Sequence, residues 1–357
     1  MTVQHILHIT FSFLPFAVCL FWFACFVIQC DKADHPKRFF MAYIGTCTVL
    51  YLCHGLYFTN GLPYELECLW TFCSLSVYPL FYGYLCRLTA SDYRVGQLLP
   101  WLLPGAAVAV AKYAFPDAGI DRVRLLLFAC QVVAVCYFGI RKLNAFDRKL
   151  QSVYADTEGR DTTAVHHLLV AIIIVSVLSG LANSVGKQFF GESLWLLIPI
   201  SVAFSVMQFS LSHICFNRDF TIDQFDLEAS AEEALPVTPI SDDTELIGSK
   251  IEAVMVGQQY FMKKDLKITD LVKAIGSNRT YVSNYINRTY HCSFSDYTNR
   301  MRVEHAQQLL AATTGSKKLS QIAEESGFAS EQSFYRNFKK FAGMTPAEWQ
   351  SQAISTP

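Results

Sequence analysis

Seven apolar stretches fill the first 216 residues, and they constrain the fold of this chain more than any other feature. They lie near residues 6–29, 39–59, 66–88, 97–115, 123–141, 166–187 and 194–216. A helical residue advances about 1.5 Å, so roughly 20 apolar residues cross the ~30 Å hydrocarbon layer of a bilayer. Composition agrees: 52% hydrophobic residues, 14% aromatic residues and a mean hydropathy of +0.27 exceed the soluble range. Pro100, Pro104 and Lys112 interrupt or edge the fourth stretch. The first does not read as a cleaved signal peptide, because Met1 to Ile9 contains no Lys or Arg.

Charge sets the expected orientation. With the N-terminus outside, the inner loops hold ten basic residues: Lys32, Lys37, Arg38, Arg87, Arg94, Arg141, Lys142, Arg148, Lys149 and Arg160. The outer loops then hold four: Lys112, Arg122, Arg124 and Lys187. The positive-inside bias selects this arrangement. Seven crossings from an outer N-terminus place everything after residue 216 in the cytoplasm.

Within the stretches ionisable residues are scarce, and His54, His213 and, near an end, Lys112 are among them. Two readings stand for His54: a hydrogen-bonded packing residue, or a ligand- or proton-sensing group. No Lys lies in the seventh stretch for a retinal Schiff base, and no paired carboxylates suggest an ion-coupled transporter. Eleven of twelve cysteines fall in this half with no CxxC, so they read as small hydrophobes rather than a metal or disulfide framework. Cys292, alone in the C-terminal part, suits a reducing compartment. In the sixth stretch Ser176, Gly180 and Ser184 recur every four residues beside Ala182, Asn183 and Gly186. That spacing permits close helix packing, within the bundle or as a homodimer seam.

Three charge blocks divide the chain. Residues 1–216 carry 14 basic and 12 acidic residues, 217–244 carry 1 and 8, and 245–357 carry 14 and 10. The middle block, broken by Pro236 and Pro239, reads as a flexible acidic linker. A coil of that length has a root-mean-square span of roughly 30 Å. From Glu245 the apolar pattern turns amphipathic and helical. Leu246, Ile247, Ile251, Val254 and Met255 mark a leading helix. Ile268, Leu271, Val272 and Ile275, the turn at Gly276, the N-cap Asn278, and Val282, Tyr285 and Ile286 mark a first helix-turn-helix. A longer helix over Phe294 to Ala312 follows, with Phe294, Tyr297, Met301, His305 and Leu309 on one face and a length of about 28 Å. One turn of B-DNA is about 34 Å, so that helix can space two reading heads along one face of a duplex. Leu319, Ile322, Ala323, Gly327-Phe328 and the N-cap Ser330 mark a second unit, with Phe334 and Phe338 facing inward.

The run Ile322-Ala323-Glu324-Glu325-Ser326-Gly327-Phe328-Ala329-Ser330-Glu331-Gln332-Ser333-Phe334-Tyr335-Arg336-Asn337-Phe338-Lys339-Lys340, closed by Gly343-Met344-Thr345-Pro346, resembles the signature of the AraC/XylS family of bacterial transcription regulators. The resemblance covers about residues 246–350 and includes both units and the connecting helix. By matched position it implies DNA contacts by Arg279, Thr280, Ser283 and Asn284 from the first unit. From the second it implies Glu331, Gln332, Ser333 and Arg336, with Lys339 approaching phosphate one turn later. Asn284 and Asn287 stand where the family often has basic residues. The membrane half departs further, since typical members carry a soluble cupin-like sensor.

The expectation is therefore an all-α chain: a seven-transmembrane-helix bundle (1–216), the linker (217–244) and a double helix-turn-helix DNA-binding domain (245–357). It would act as a one-component, multi-pass regulator in a bacterial inner membrane. Its partners would be double-stranded DNA, the lipid bilayer, an unknown signal and, as further candidates, RNA polymerase and a second copy through the membrane domain. The alternative is a membrane receptor or transporter-like protein whose C-terminal module is a docking element. No Gly-rich phosphate loop, Ser/His/Asp pattern or metal spacing points to an enzyme, a cofactor or a metal site.

Overall fold

The computed structural model describes residues 2–29, 35–116, 119–158, 160, 162–167, 169–172, 174, 193–218, 222, 225, 244–313 and 317–355. Among them every regular element is helical. The chain divides into two compact units: Met1–Asn144 with Thr162–Asp226, and Ala145–Asp161 with Leu227–Pro357. Two boundaries thus differ from those read in the sequence. Residues 145–161 group with the C-terminal unit, and the N-terminal unit continues past residue 216, with Ile222 and Phe225 both buried. Most of the remaining linker lies outside the described residues.

The N-terminal unit contains α1 (Val3–Gln29), α2 (His35–Asn60), α3 (Tyr64–Thr89), α4 (Leu99–Ala114), α5 (Ile120–Gln151) as far as Asn144, and α6 (Leu194–Phe216). α1 packs on α2 and α6, α2 on α3, and α3 on α4. Aromatic side chains fill the interior, with Phe26 and Phe40 centroids 5.1 Å apart and Tyr43 and Phe81 at 5.3 Å. α3 is the most enclosed, buried at nearly every position from Cys68 to Leu88. Its hydroxyls return to their own helix: Thr71 Oγ1 donates to the Glu67 carbonyl at 2.9 Å and Ser76 Oγ to that of Phe72 at 2.8 Å. Satisfied this way, they cost little to bury.

Among the described residues four helices are long and apolar enough to cross a membrane: α1, α2 from Pro36, α5 and α6. α3 has the length, with Glu65 and Glu67 in its first turn, Arg87 in its last, and Ser, Thr and Tyr residues diluting the apolar ones between. α4 has only 16 residues, with Pro104 inside. The sixth stretch is described as a helix over Thr163–Ile172, so the small-residue pattern from Ser176 to Gly186 falls outside the described residues.

Lys112, near the end of α4, belongs to a cluster. Its Nζ lies 3.2 Å from Asp121 and 3.3 Å from Glu67, and Asp121 also accepts from Arg124 Nε at 3.1 Å. Pairing of this kind is what lets two basic side chains be buried. The Arg124 guanidinium lies 5.0 Å from the Trp70 ring centre, at the wall of a cavity of about 240 Å³. Aromatic rings dominate that wall, joined by His54, Ser12 and Gln208. Gln208 and Tyr43 hydrogen-bond each other at 3.0 Å, whereas the buried Ser12 hydroxyl has no hydrogen-bond partner among the described residues. His54 Nδ1 sits 3.2 Å from the Leu50 carbonyl of its own helix, which is the packing arrangement, and its ring faces the cavity. Among the described residues no His/Cys/Asp/Glu group could hold a metal ion.

The C-terminal unit runs α7 (Thr244–Glu252), continued by a π turn over Ala253–Gly257, then α8 (Ile268–Ile275), α9 (Arg279–Tyr290), α10 (Phe294–Thr313), α11 (Leu319–Glu325), α12 (Glu331–Ala342) and α13 (Pro346–Ser355). Ile247, Ile251, Val254 and Met255 are buried as expected, but Leu246 is exposed. α10 differs more. Its buried positions include Thr298, Asn299, Arg302, Val303, Ala306 and Leu310, while Met301, His305 and Leu309 are only half-buried. The physical reason is its place: α9 packs on one part of it, and α11, α12 and α13 on another. A single apolar stripe cannot serve a helix enclosed on several sides.

Candidate nucleic-acid interface

Each helix-turn-helix is built by local devices that the sequence encodes. In the first, Gly276 (φ +65°) ends α8 and returns its N–H to the Val272 carbonyl. Asn278 then caps α9, its side-chain oxygen accepting from the Tyr281 N–H at 2.9 Å. In the second, Gly327 (φ +84°) makes the turn, and Ser330 caps α12 by accepting from the Ser333 N–H at 3.1 Å. Gly343 (φ +78°) closes α12 onto the Lys339 carbonyl at 3.0 Å. Thr345 and Glu348 then cap α13 reciprocally, and these hydrogen bonds hold the Glu348 carboxyl below its ordinary pKa. Replacing Asn278 by alanine should cost about 1 kcal/mol. Hydrogen exchange of the first turn of α9 would show it as faster opening confined to that helix.

Behind both units stands a residue that sequence reasoning passed over. Arg302, on α10, has no exposed surface. Its Nε donates to the Phe261 carbonyl at 2.7 Å and its Nη2 to those of Lys263 and Lys264 at 2.8 and 3.3 Å, while Nη1 reaches Asn299 at 3.3 Å. Burial lowers its pKa to about 10, opposed by the nearby Asp156 and Asp265. The group therefore stays charged at neutral pH. Arg302 fixes the chain leading into α8 against the helix that carries both units. In the sequence it is a basic residue between two apolar ones, Met301 and Val303, within the connecting helix that shares the family resemblance.

Most of the expected reading positions are accessible. On α9, Thr280 and Asn284 are exposed and Arg279 and Ser283 half-buried, while Val282 and Ile286 are fully buried. On α12, Glu331, Gln332, Arg336 and Lys339 are exposed and Phe334 and Phe338 buried. Ser333 is the correction. It has no exposed surface, its N–H is taken by the Ser330 cap, and its carbonyl accepts from Asn337 Nδ2 at 2.9 Å. It lies on the side of α12 that faces the core, where the next turn brings Asn337, so it packs instead of facing solvent. Lys340 is tied to Asp296 at 2.6 Å, and Lys339 beside it is exposed.

Residues 271–352 match the helix-turn-helix domain family. An uncharacterized HTH-type transcriptional regulator of Staphylococcus aureus (strain MSSA476) is 28% identical over 116 residues, 32% of this chain and 15% of the relative. The melibiose operon regulatory protein of Escherichia coli (strain K12) is 31% identical over 85 residues, 24% of this chain and 28% of the relative. The matched segments thus span less than a third of these relatives. No solved structure matches the chain. The C-terminal part of this chain carries a helix-turn-helix domain of the AraC type, similar there to proteins named as transcription regulators.

Proposed function

We propose that this chain is a membrane-anchored, one-component transcription regulator: helices in the N-terminal unit hold it in a bacterial inner membrane, and the two helix-turn-helix units bind a specific DNA site. The observation that carries this reading is the presence, in one chain, of two capped reading helices and four helices fit to cross a bilayer. Exposed apolar side chains favour the same division. In the N-terminal unit they include Phe21, Leu103, Val110, Leu126, Val133 and Trp195, whereas the C-terminal unit exposes chiefly tyrosines. Such surface suits lipid contact. With seven crossings, the sixth being the stretch beyond Thr163, the N-terminus lies outside and the DNA-binding unit in the cytoplasm. A reporter active only outside the membrane should stay silent when fused after Pro357; activity there would break this topology.

The signal in this reading is a small, mostly apolar molecule that enters the aromatic cavity and finds a hydrogen-bond partner in the Ser12 hydroxyl. Regulation itself is binding and release, with no catalytic step. RNA polymerase contact and pairing of membrane units complete the reading. Chromatin mapping of the full-length protein tests it; the absence of discrete bound sites would favour the docking-module alternative.

Within the DNA interface two cations should behave differently. Arg336→Ala removes an exposed side chain that this reading assigns to base edges, and should cost about 1–3 kcal/mol while relaxing preference at one base pair. Lys339→Ala should weaken all sequences alike and shallow the log–log salt slope by roughly one. Binding of both variants to matched and scrambled duplexes over a salt series checks this. The opposite pattern would misassign the face of α12.

A further inference from the structure

The segment that follows α5 is built into the DNA-binding unit as though it were a bound peptide. Val153, Tyr154, Ala155, Asp156 and Thr157 are all buried there. The backbone pairs in two places: the Ile268 N–H donates to the Val153 carbonyl at 2.8 Å and the Ala155 N–H to the Leu266 carbonyl at 2.9 Å. This makes an antiparallel bridge between Tyr154 and Lys267, the only β pairing among the described residues. The Ala155 carbonyl then accepts from both Ser295 Oγ and Asn299 Nδ2 of α10, each at 2.8 Å. Tyr154 lies under two cations, with Arg160 4.5 Å and Lys267 5.5 Å from its ring centre.

Its acidic end reaches the second reading helix. The Ser330 hydroxyl, cap of α12, donates to the Glu158 carboxylate, and the Asp156 carboxylate lies 4.0 Å from the Arg336 guanidinium. Asp156 Oδ1 accepts from the Glu158 N–H at 3.0 Å, while the buried Oδ2 has no hydrogen-bond partner among the described residues. DNA offers phosphates to helix N-termini and to arginine. Two carboxylates therefore stand where phosphate or base edges would approach.

We propose that residues 153–158 are an intramolecular ligand of the DNA-binding unit, held by an isolated β-bridge beside α8 and by hydrogen bonds to α10, whose Asp156 and Glu158 compete with DNA for the N-terminal half of α12. The proposal rests on the DNA-binding reading above. The ligand is joined to the end of α5, which begins in the N-terminal unit, so an event on that helix has a covalent route to the DNA interface.

The test uses the full-length protein in lipid nanodiscs and a labelled mixed-sequence 40-base-pair duplex. D156N/E158Q should bind the duplex about tenfold more tightly than the natural chain. In the natural chain, hydrogen exchange at the Ala155 and Ile268 amides should quicken once duplex is bound, whether or not the double variant folds. Equal binding by both proteins, with these amides still protected in the complex, would overturn the competition and leave the DNA-binding reading intact. If neither protein binds duplex at any salt concentration, the DNA-binding reading itself fails. Binding by the variant alone would support the competition in its strongest form.

Discussion

Arg302→Ala is expected to destabilise the C-terminal unit by about 3–5 kcal/mol, the scale of losing one partner from a buried charged network. Three backbone carbonyls, at Phe261, Lys263 and Lys264, would lose their donor in a place where a replacement is hard to find. Each such loss typically costs about 1–3 kcal/mol. Asp156 and Asp265 would also lose the cation they favour. Arg302→Lys should not rescue, because one ammonium cannot reproduce the directions of a planar guanidinium. Hydrogen exchange of α8 and α10 in the full-length protein reads the effect, as an increase of about a hundredfold or more. Unchanged protection in Arg302→Lys would show that charge alone suffices and that the fork geometry is dispensable.

Gly327→Ala should be nearly as severe, at about 2–4 kcal/mol from two sources. The residue sits at φ +84°, where a side chain is strained. In addition, a β-carbon there would lie 2.5 Å from Met262 Cα and 2.6 Å from the Met262 carbonyl oxygen, and backbone cannot swing aside. The turn of the second helix-turn-helix presses directly on the 3-10 turn Tyr260–Met262, beside the carbonyls that Arg302 holds, so the substitution should loosen α11 and α12 from that segment and, on the proposed function, weaken DNA binding. Gly343→Ala provides the comparison. Its φ is +78°, with nothing within 4 Å of an added β-carbon, so only the backbone cost of about 1 kcal/mol applies. Exchange rates at Phe334 and Phe338 distinguish the two; equal effects would remove the steric part of the argument.

The two substitutions mark a division between local and long-range information. Gly276, Asn278, Gly327, Ser330 and Gly343 could be assigned from the chain itself, because turns and caps are made by neighbours three or four residues apart. The helical period marks most of the accessible positions of α9 and α12 for the same reason. It placed Ser333 wrongly because two faces of α12 meet at that position and only packing decides between them. Arg302 was overlooked because its partners lie some 40 residues away.

By itself, then, the sequence determined that this chain has a helical apolar half and a C-terminal double helix-turn-helix, since hydropathy, helical period and capping are written in short spans. Only the tertiary structure decided that α10 is enclosed on several sides, that Lys112 and Arg124 share Asp121, and that residues 153–158 belong with the DNA-binding unit. Those outcomes join groups up to 172 residues apart, as in the pair Glu158 and Ser330. Periodicity in one segment carries no information about which distant carbonyl or carboxylate will meet it. That choice is made when burial forces every polar group to find a partner.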